Sequence, residues 1–207
     1  MKQNRKNKKF VYLISPNKIK DKNFYINLAL VLRSGKVSFF QLRLKKETNK
    51  NKLIIGKKIQ RICKKYKVKF LINDDPLLAK KLNADGCHLG QKDMGIIKAR
   101  KILKNKIIGV TCHNSIGLAK SAIKAGADYL AFGAFFSSKT KTVKYKASLT
   151  ILKSVKKITS LSIVAIGGIN LNNYKKLLLN KANFLAISGY IWNNKKYKPL
   201  EAIKRLK

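Results

Sequence analysis

Eight short apolar runs, each followed by a longer amphipathic stretch, set the strongest limit on what this chain can fold into. They read "FVYLIS", "SFFQLR", "VKFLIN", "GCHLG", "IIGVTCH", "YLAFGAFF", "SIVAIGGI" and "FLAISGYIW". Runs rich in Val, Ile, Phe and Tyr that are apolar on both faces read as parallel strands buried under helices. The intervening stretches carry helical periodicity. In "NKLIIGKKIQRICKKY", for example, Leu53, Ile54, Ile59, Ile62 and Cys63 are expected to share a face. Eight strands alternating with helices in 207 residues fit the lower size limit of a (β/α)8, or TIM, barrel. An open doubly wound sheet uses the same elements, but no GxGxxG follows the first run.

A weak internal echo favours the barrel. "LNADGCHLG", "KAGADYLAFG" and "LNKANFLAISG" each read helix end, small residue, Asp or Asn, apolar strand, then glycine. They are read as three copies of one helix-to-strand connection. No composition shift or Gly/Ser-rich linker divides the chain, so residues 1–207 are expected to form one domain, with residues 1–8 a basic N-terminal arm.

The charge balance is extreme: 48 Lys and Arg against 8 Asp and Glu, a formal net charge of +40. Such a field attracts nucleic acid and anionic lipid. The lysines, however, are spread along the chain rather than gathered in one block, and the aromatics fall mainly in the strand runs. No RNA- or DNA-binding motif appears, so no specific nucleic-acid partner is expected. The first apolar run ends at Ser15-Pro16, too short for a signal peptide or a membrane span, and no later run is long enough to cross a bilayer. Cys63, Cys87 and Cys112 are odd in number and form no CxxC pair, which argues against disulfides and zinc. A cytoplasmic protein with no membrane partner is expected. The sequence is compatible with a homo-oligomer and does not set the subunit number.

In a barrel the functional groups sit at the C-terminal strand ends. At the second strand, "FFQLRLKK" places Gln41, Arg43 and Lys45 on one face and Leu42 and Leu44 on the other. The guanidinium fork of Arg43 suits phosphate oxygens, and Lys45 adds a mobile cation. The third strand ends at Asn73-Asp74 and the fourth in "GQKDMG", which holds Asp93. Two carboxylates on neighbouring loops facing cations are a candidate Mg2+ site for a polyphosphate. Asp75 before Pro76 reads instead as a helix N-cap. After the sixth strand, Ser138, Thr140 and Lys141 make a candidate anion-binding loop. Gly168 after the seventh strand and Ser188-Gly189 after the eighth are expected to grip a single phosphate. His88 and His113 read as structural histidines. Cys112 beside His113 cannot act as a nucleophile pair, because consecutive strand residues point to opposite faces.

"QLRLK", "LINDD", "ADGCHLGQKDM", "GVTCHN", "ADYLAFGAFFSSKTK" and "AIGGIN" resemble, in order and spacing, the thiamine phosphate synthase family. The likeness runs from the first strand to the eighth. It implies a Mg2+-dependent barrel that joins a hydroxymethylpyrimidine diphosphate to a thiazole phosphate, giving thiamine phosphate and pyrophosphate. By the same resemblance Gln41, Arg43 and Lys45 bind diphosphate, Asn73 contacts substrate, and Asp74 and Asp93 ligate magnesium. Thr111 stands against the pyrimidine. Ser138, Thr140 and Lys141 touch both substrates, with Arg43, Lys45 and Lys141 assigned to catalysis, and Gly168, Ser188 and Gly189 hold the thiazole phosphate. Departures are Ser137-Ser138 for a usual Pro-Thr, Asp75 for a frequent Arg, and Gly189 for a frequent Ser. A sister family, the thiazole tautomerases, carries its catalytic histidine just after the glycine of the sixth strand, where this chain has Ala134.

Overall fold

In the computed structural model, which describes residues 9–19, 21–137 and 145–207, eight parallel strands pair in chain order and close on themselves. They are β1 (Val11–Ile14), β2 (Val37–Leu42), β3 (Lys69–Asn73), β4 (Gly86–Leu89), β5 (Ile107–His113), β6 (Tyr129–Gly133), β7 (Ser162–Ile166) and β8 (Phe184–Ile187), with β8 returning to pair with β1. The crossovers are α1 (Lys22–Arg33), α2 (Asn49–Lys65), α3 (Pro76–Lys81), α4 (Ile96–Leu103), α5 (Ile116–Lys124), α6 (Leu149–Lys156) and α7 (Tyr174–Leu179). After β8 come α8 (Gly189–Trp192) and α9 (Pro199–Arg205). The expected basic arm, residues 1–8, lies outside the described residues.

Alternation along each strand builds two apolar clusters. Outward residues such as Leu13, Phe40, Phe70, Ile72, Leu130 and Phe132 are buried against the helices. Burial of each such side chain contributes about 1.5–3 kcal/mol. Inward residues form a smaller cluster that includes Tyr12, Leu71, Tyr129 and Val164. Strand register stacks the inward residues in fours from alternate strands, as such barrels require. Tyr12, Leu71, Gly109 and Val164 make one layer, Gln41, His88, Ala131 and Ala186 the next, and Ile14, Asn73, Thr111 and Ile166 the mouth. The two alanines keep the middle layer shallow beneath the mouth.

The internal echo has a physical cause. Asp85 accepts a hydrogen bond from the Phe70 N–H (2.9 Å), Asp128 from that of Ile108 (2.7 Å) and Asn183 from that of Ile163 (2.8 Å). In each case the same residue's own N–H returns a bond to the partner's carbonyl. Three even-numbered strands are thus locked at their N-terminal ends to the strand before.

Two expectations are corrected. β6, β7 and β8 end earlier than the apolar runs: Gly133, Gly167 and Gly168 take positive φ (159°, 106° and 61°), which bends the chain out of the sheet, and Gly189–Trp192 is a helical turn. Phe135 and Ile169 belong to loops that are themselves buried, so their apolarity imitates a strand. On α2, Ile54 is 48% exposed, while Gly56, Ile59 and Cys63 are buried. At 100° per residue Ile54 points away from Ile59, and Ile55 packs in its place.

Candidate active site

The rim above β1 and β2 is stitched by Ser15, which is 2% exposed. Its N–H donates to the Gln41 carbonyl (2.9 Å), and its hydroxyl oxygen accepts from the Arg43 N–H (2.9 Å). Arg43 and Lys45 therefore lie just past the end of β2 on a backbone held to β1. Their partners Leu42 and Leu44 are buried on the helix side, as the alternation requires. The Arg43 guanidinium donates to Asn17 Oδ1 (3.1 Å). Gln41 is buried, and its Nε2 has no hydrogen-bond partner among the described residues. A buried orphan donor is costly and marks a place where a ligand or water belongs.

At the end of β3, Asp74 adopts φ 65° and donates its N–H to the His88 carbonyl (2.8 Å). The next residue, Asp75, caps α3, accepting from the Leu78 N–H at 2.9 Å with Pro76 at the first helical position. Asp74 Oδ2 lies 3.0 Å from Lys45 Nζ, and the Asp74 and Asp93 carboxyl groups are in hydrogen-bonding contact. Asp93 also accepts from the Gly90 N–H (2.7 Å). A cleft of about 180 Å3 opens beside Lys45 and Asp74 toward the helix side of the rim, where Lys52, Asn73 and Asp75 line it together with Leu42 and Leu44. Lys52, from the first turn of α2, is a cation the sequence reading missed.

The scarcity of acids makes this pair informative. Of the eight in the chain, Asp21 and Asp75 cap helices and Glu201 closes a capping box on α9. Asp85 and Asp128 lock strands, and Glu47 accepts from Asn51. Asp74 and Asp93 remain, and they meet. Burial and the neighbouring Asp74 raise the Asp93 pKa above the usual carboxylate range. Burial pushes Asp74 the same way, but the hydrogen bonds from Asp93 and Lys45, with the Lys45 charge, hold its pKa below that range. Two carboxyl groups in contact share either a proton or a cation. A pair of hard oxygen donors at the rim fits Mg2+.

His88 stands beneath this pair. Its Nδ1 is 2.8 Å from the Tyr129 hydroxyl and its Nε2 2.8 Å from Thr111 Oγ1. Burial pushes its pKa down to about 4; Asp74 pulls it up and Arg43 down, which places both charges within reach of the ring. His88 is hydrogen-bonded at both nitrogens, as a structural histidine should be, yet one partner is the predicted pyrimidine contact. Cys112, by contrast, is buried among the helices, away from the mouth.

The β7–β8 sector of the rim carries the other predicted residues. A Cβ on Gly168 would lie 2.3 Å from the Ser137 carbonyl oxygen, and its φ is 61°, so only glycine fits. Ser188 donates its hydroxyl to the Ser15 carbonyl (3.1 Å), and Gly189 opens α8. Ser15 thus ties the Arg43 backbone to the Ser188 side chain. Ser138, Thr140 and Lys141 lie outside the described residues. Gln41, Asn73, Asp74, Asp93 and Thr111 gather at one side of the mouth with Arg43 and Lys45. Gly168, Ser188 and Gly189 form a separate sector.

Residues 11–191 match the family described as thiamine monophosphate synthase. The chain is 85% identical to the thiamine-phosphate synthase of Pelagibacter ubique strain HTCC1062 over 207 residues, covering 100% of both. It is 41% identical to that of Erythrobacter litoralis strain HTCC2594 over 188 residues, covering 88% of each. A solved structure, the thiamine phosphate pyrophosphorylase from Pyrococcus furiosus, superposes with a TM-score of 0.85 at 28% identity, covering 97% of this chain and 94% of that one.

Proposed function

The chain belongs to the thiamine monophosphate synthase family, and from that premise we propose that the Asp74–Asp93 pair, with Arg43 and Lys45, is the diphosphate half of its site. The activity is that of a transferase making thiamine phosphate. The reaction joins a hydroxymethylpyrimidine diphosphate to a thiazole phosphate. The bond between the pyrimidine methylene and the diphosphate oxygen breaks, the electron pair leaves with the diphosphate, and the thiazole nitrogen forms the new bond.

Asp74 and Asp93 would hold Mg2+, which when bound neutralises charge on the diphosphate. Arg43 grips the leaving group with its fork and Lys45 with a point charge; both stabilise charge as it develops. Gln41, whose amide donor is buried without a partner, and Asn73 orient the same substrate from below. Thr111, backed by His88, fixes the pyrimidine, while His88 stays uncharged beneath a methylene that becomes positive. Gly168, Ser188 and Gly189 hold the thiazole phosphate. The family resemblance assigns Ser138, Thr140 and Lys141 to contacts with both substrates. No protein nucleophile is needed, since positioning and electrostatics carry the rate.

The observation that carries this reading is the meeting of Asp74 and Asp93 beside Lys45 in a chain whose other acids are all engaged elsewhere. No helix among the described residues is long and apolar enough to cross a membrane; a cytoplasmic location is part of the same reading.

The test is product formation from both substrates with Mg2+, detected as thiochrome. Asp93→Asn should lower kcat by about 10²-fold or more, the scale of losing one pre-organised electrostatic contact. Wild-type turnover in that variant, or full activity in excess chelator, would remove the assignment.

A further inference from the structure

Four hydroxyl and imidazole groups from four strands form an unbroken hydrogen-bonded chain inside the barrel. Tyr12 Oη lies 2.8 Å from Tyr129 Oη, Tyr129 Oη 2.8 Å from His88 Nδ1, and His88 Nε2 2.8 Å from Thr111 Oγ1. Tyr12 and Tyr129 are buried within the inner apolar cluster. The chain starts among Leu71, Val164 and Ala186 and ends at the mouth.

We propose that this chain is polarised in one direction, Tyr12 to Tyr129 to His88 to Thr111, so that Thr111 presents its hydroxyl proton to the mouth as a donor for a ring nitrogen of the bound heteroaromatic substrate. This rests on the placement of Thr111 against the pyrimidine proposed above.

Counting protons gives the direction. If Tyr12 donates to Tyr129 and Tyr129 to His88 Nδ1, the ring carries its proton on Nε2 and donates to Thr111 Oγ1. Every buried proton then has an acceptor, and the Thr111 proton is left for the ligand. If the ring carries its proton on Nδ1, it donates to Tyr129. One tyrosine proton must then go without an acceptor, because Tyr12 is bonded only to Tyr129 among the described residues. A ring protonated on both nitrogens leaves the same orphan. A buried donor without a partner is the costlier arrangement.

The backbone is shaped for this chain. A Cβ on Gly109 would lie 1.8 Å from Tyr129 Cζ, so the missing side chain on β5 is the space through which the Tyr129 ring reaches His88. The two rings stack at 18° with centroids 5.7 Å apart, which fixes the plane of the imidazole. Tyr12 and Tyr129 are therefore positioning residues, acting on the substrate through His88 and Thr111.

The chain has two histidines, so histidine labelled with nitrogen-15 in the ring gives two spectra by NMR, and His113→Gln assigns them. The expected result for His88 is a protonated Nε2 and a bare Nδ1. A proton on Nδ1, or on both nitrogens, would overturn the polarity. This readout needs no turnover, so it is decided separately from the synthase reading. In Tyr129→Phe, His88 loses the donor that fixes its tautomer. KM for the pyrimidine diphosphate should rise about 5-fold, the worth of one neutral hydrogen bond, with KM for the thiazole phosphate unchanged. Equal rises in both constants would mean general loosening and count against the proposal, as would no rise in folded protein. Should Tyr129→Phe not fold, the wild-type tautomer still decides the polarity.

Discussion

Gly109→Ala isolates the contact on which the barrel interior turns. The glycine does not have positive φ, so alanine suits the backbone, and the cost is steric. The added methyl would lie 1.8, 2.1 and 2.3 Å from three ring atoms of Tyr129, far inside contact distance. That ring is 4% exposed and bonded at its hydroxyl to both Tyr12 and His88. Moving it forfeits two hydrogen bonds, about 2 kcal/mol together, and overpacks a filled layer, about 1–3 kcal/mol. Alanine is better than glycine in a strand by roughly 0.5–1 kcal/mol, which leaves a net loss of about 3 kcal/mol. Urea unfolding should show this as a lower midpoint at unchanged slope. In a Tyr129→Leu background, which removes the obstructing ring atoms, the same substitution should cost almost nothing. The coupling between the sites should therefore be about 3 kcal/mol. A loss below about 1 kcal/mol, or equal losses in both backgrounds, would show that the ring does not depend on the space at Gly109.

Asp128→Ala should cost about 2 kcal/mol, because the fully buried Ile108 N–H is orphaned while the partly exposed Arg100 pair adds little. Asp128→Asn should cost clearly less in the same unfolding assay, since Asn183 makes the same lock in β8. The His88 pKa in the folded protein, about 4, lies below the unfolded value of about 6.5. As pH falls through that window the unfolded chain takes up a proton that the folded chain refuses, so stability declines, by roughly 3 kcal/mol when fully expressed. Unfolding midpoints at pH 7.5 and 5 should therefore differ more in wild type than in His88→Gln; equal differences would place the titration elsewhere. Ser15→Ala should cost about 1–2 kcal/mol of stability and raise KM for the pyrimidine diphosphate, because the Arg43 N–H loses its acceptor. Unchanged steady-state kinetics would contradict that.

The order of strands and crossovers was legible because apolar runs of strand length alternate with helical periodicity without interruption, and β5 was read to its residue boundaries. Strand ends at β6 to β8 were not, since Phe135 and Ile169 are buried in loops and look like strand continuations until the glycine dihedrals are known. The echo of Asp85, Asp128 and Asn183 was visible as a pattern, but its cause, a bond to the preceding strand, needs the register. At the site, neighbouring strands brought Asp74 and Asp93 together as their positions implied. Their direct contact depends on the φ of Asp74, which no periodicity encodes. The Tyr12–Tyr129–His88–Thr111 chain was missed because two of its members are 117 residues apart and each looks alone like ordinary strand filling. An inward tyrosine paired with an inward glycine on the next strand is the signal that could have exposed it.

Titration of Mn2+, as a probe for Mg2+, into wild-type protein and the Asp74→Asn and Asp93→Asn variants in the presence of pyrophosphate tests the central claim most directly. Wild type should bind the cation with pyrophosphate, and either substitution should weaken it about 10-fold or more; Asp93→Asn should do so with the unfolding midpoint no lower, since burial and Asp74 disfavour the charged Asp93 carboxylate. Equal affinity in all three proteins would place the cation elsewhere and contradict the account.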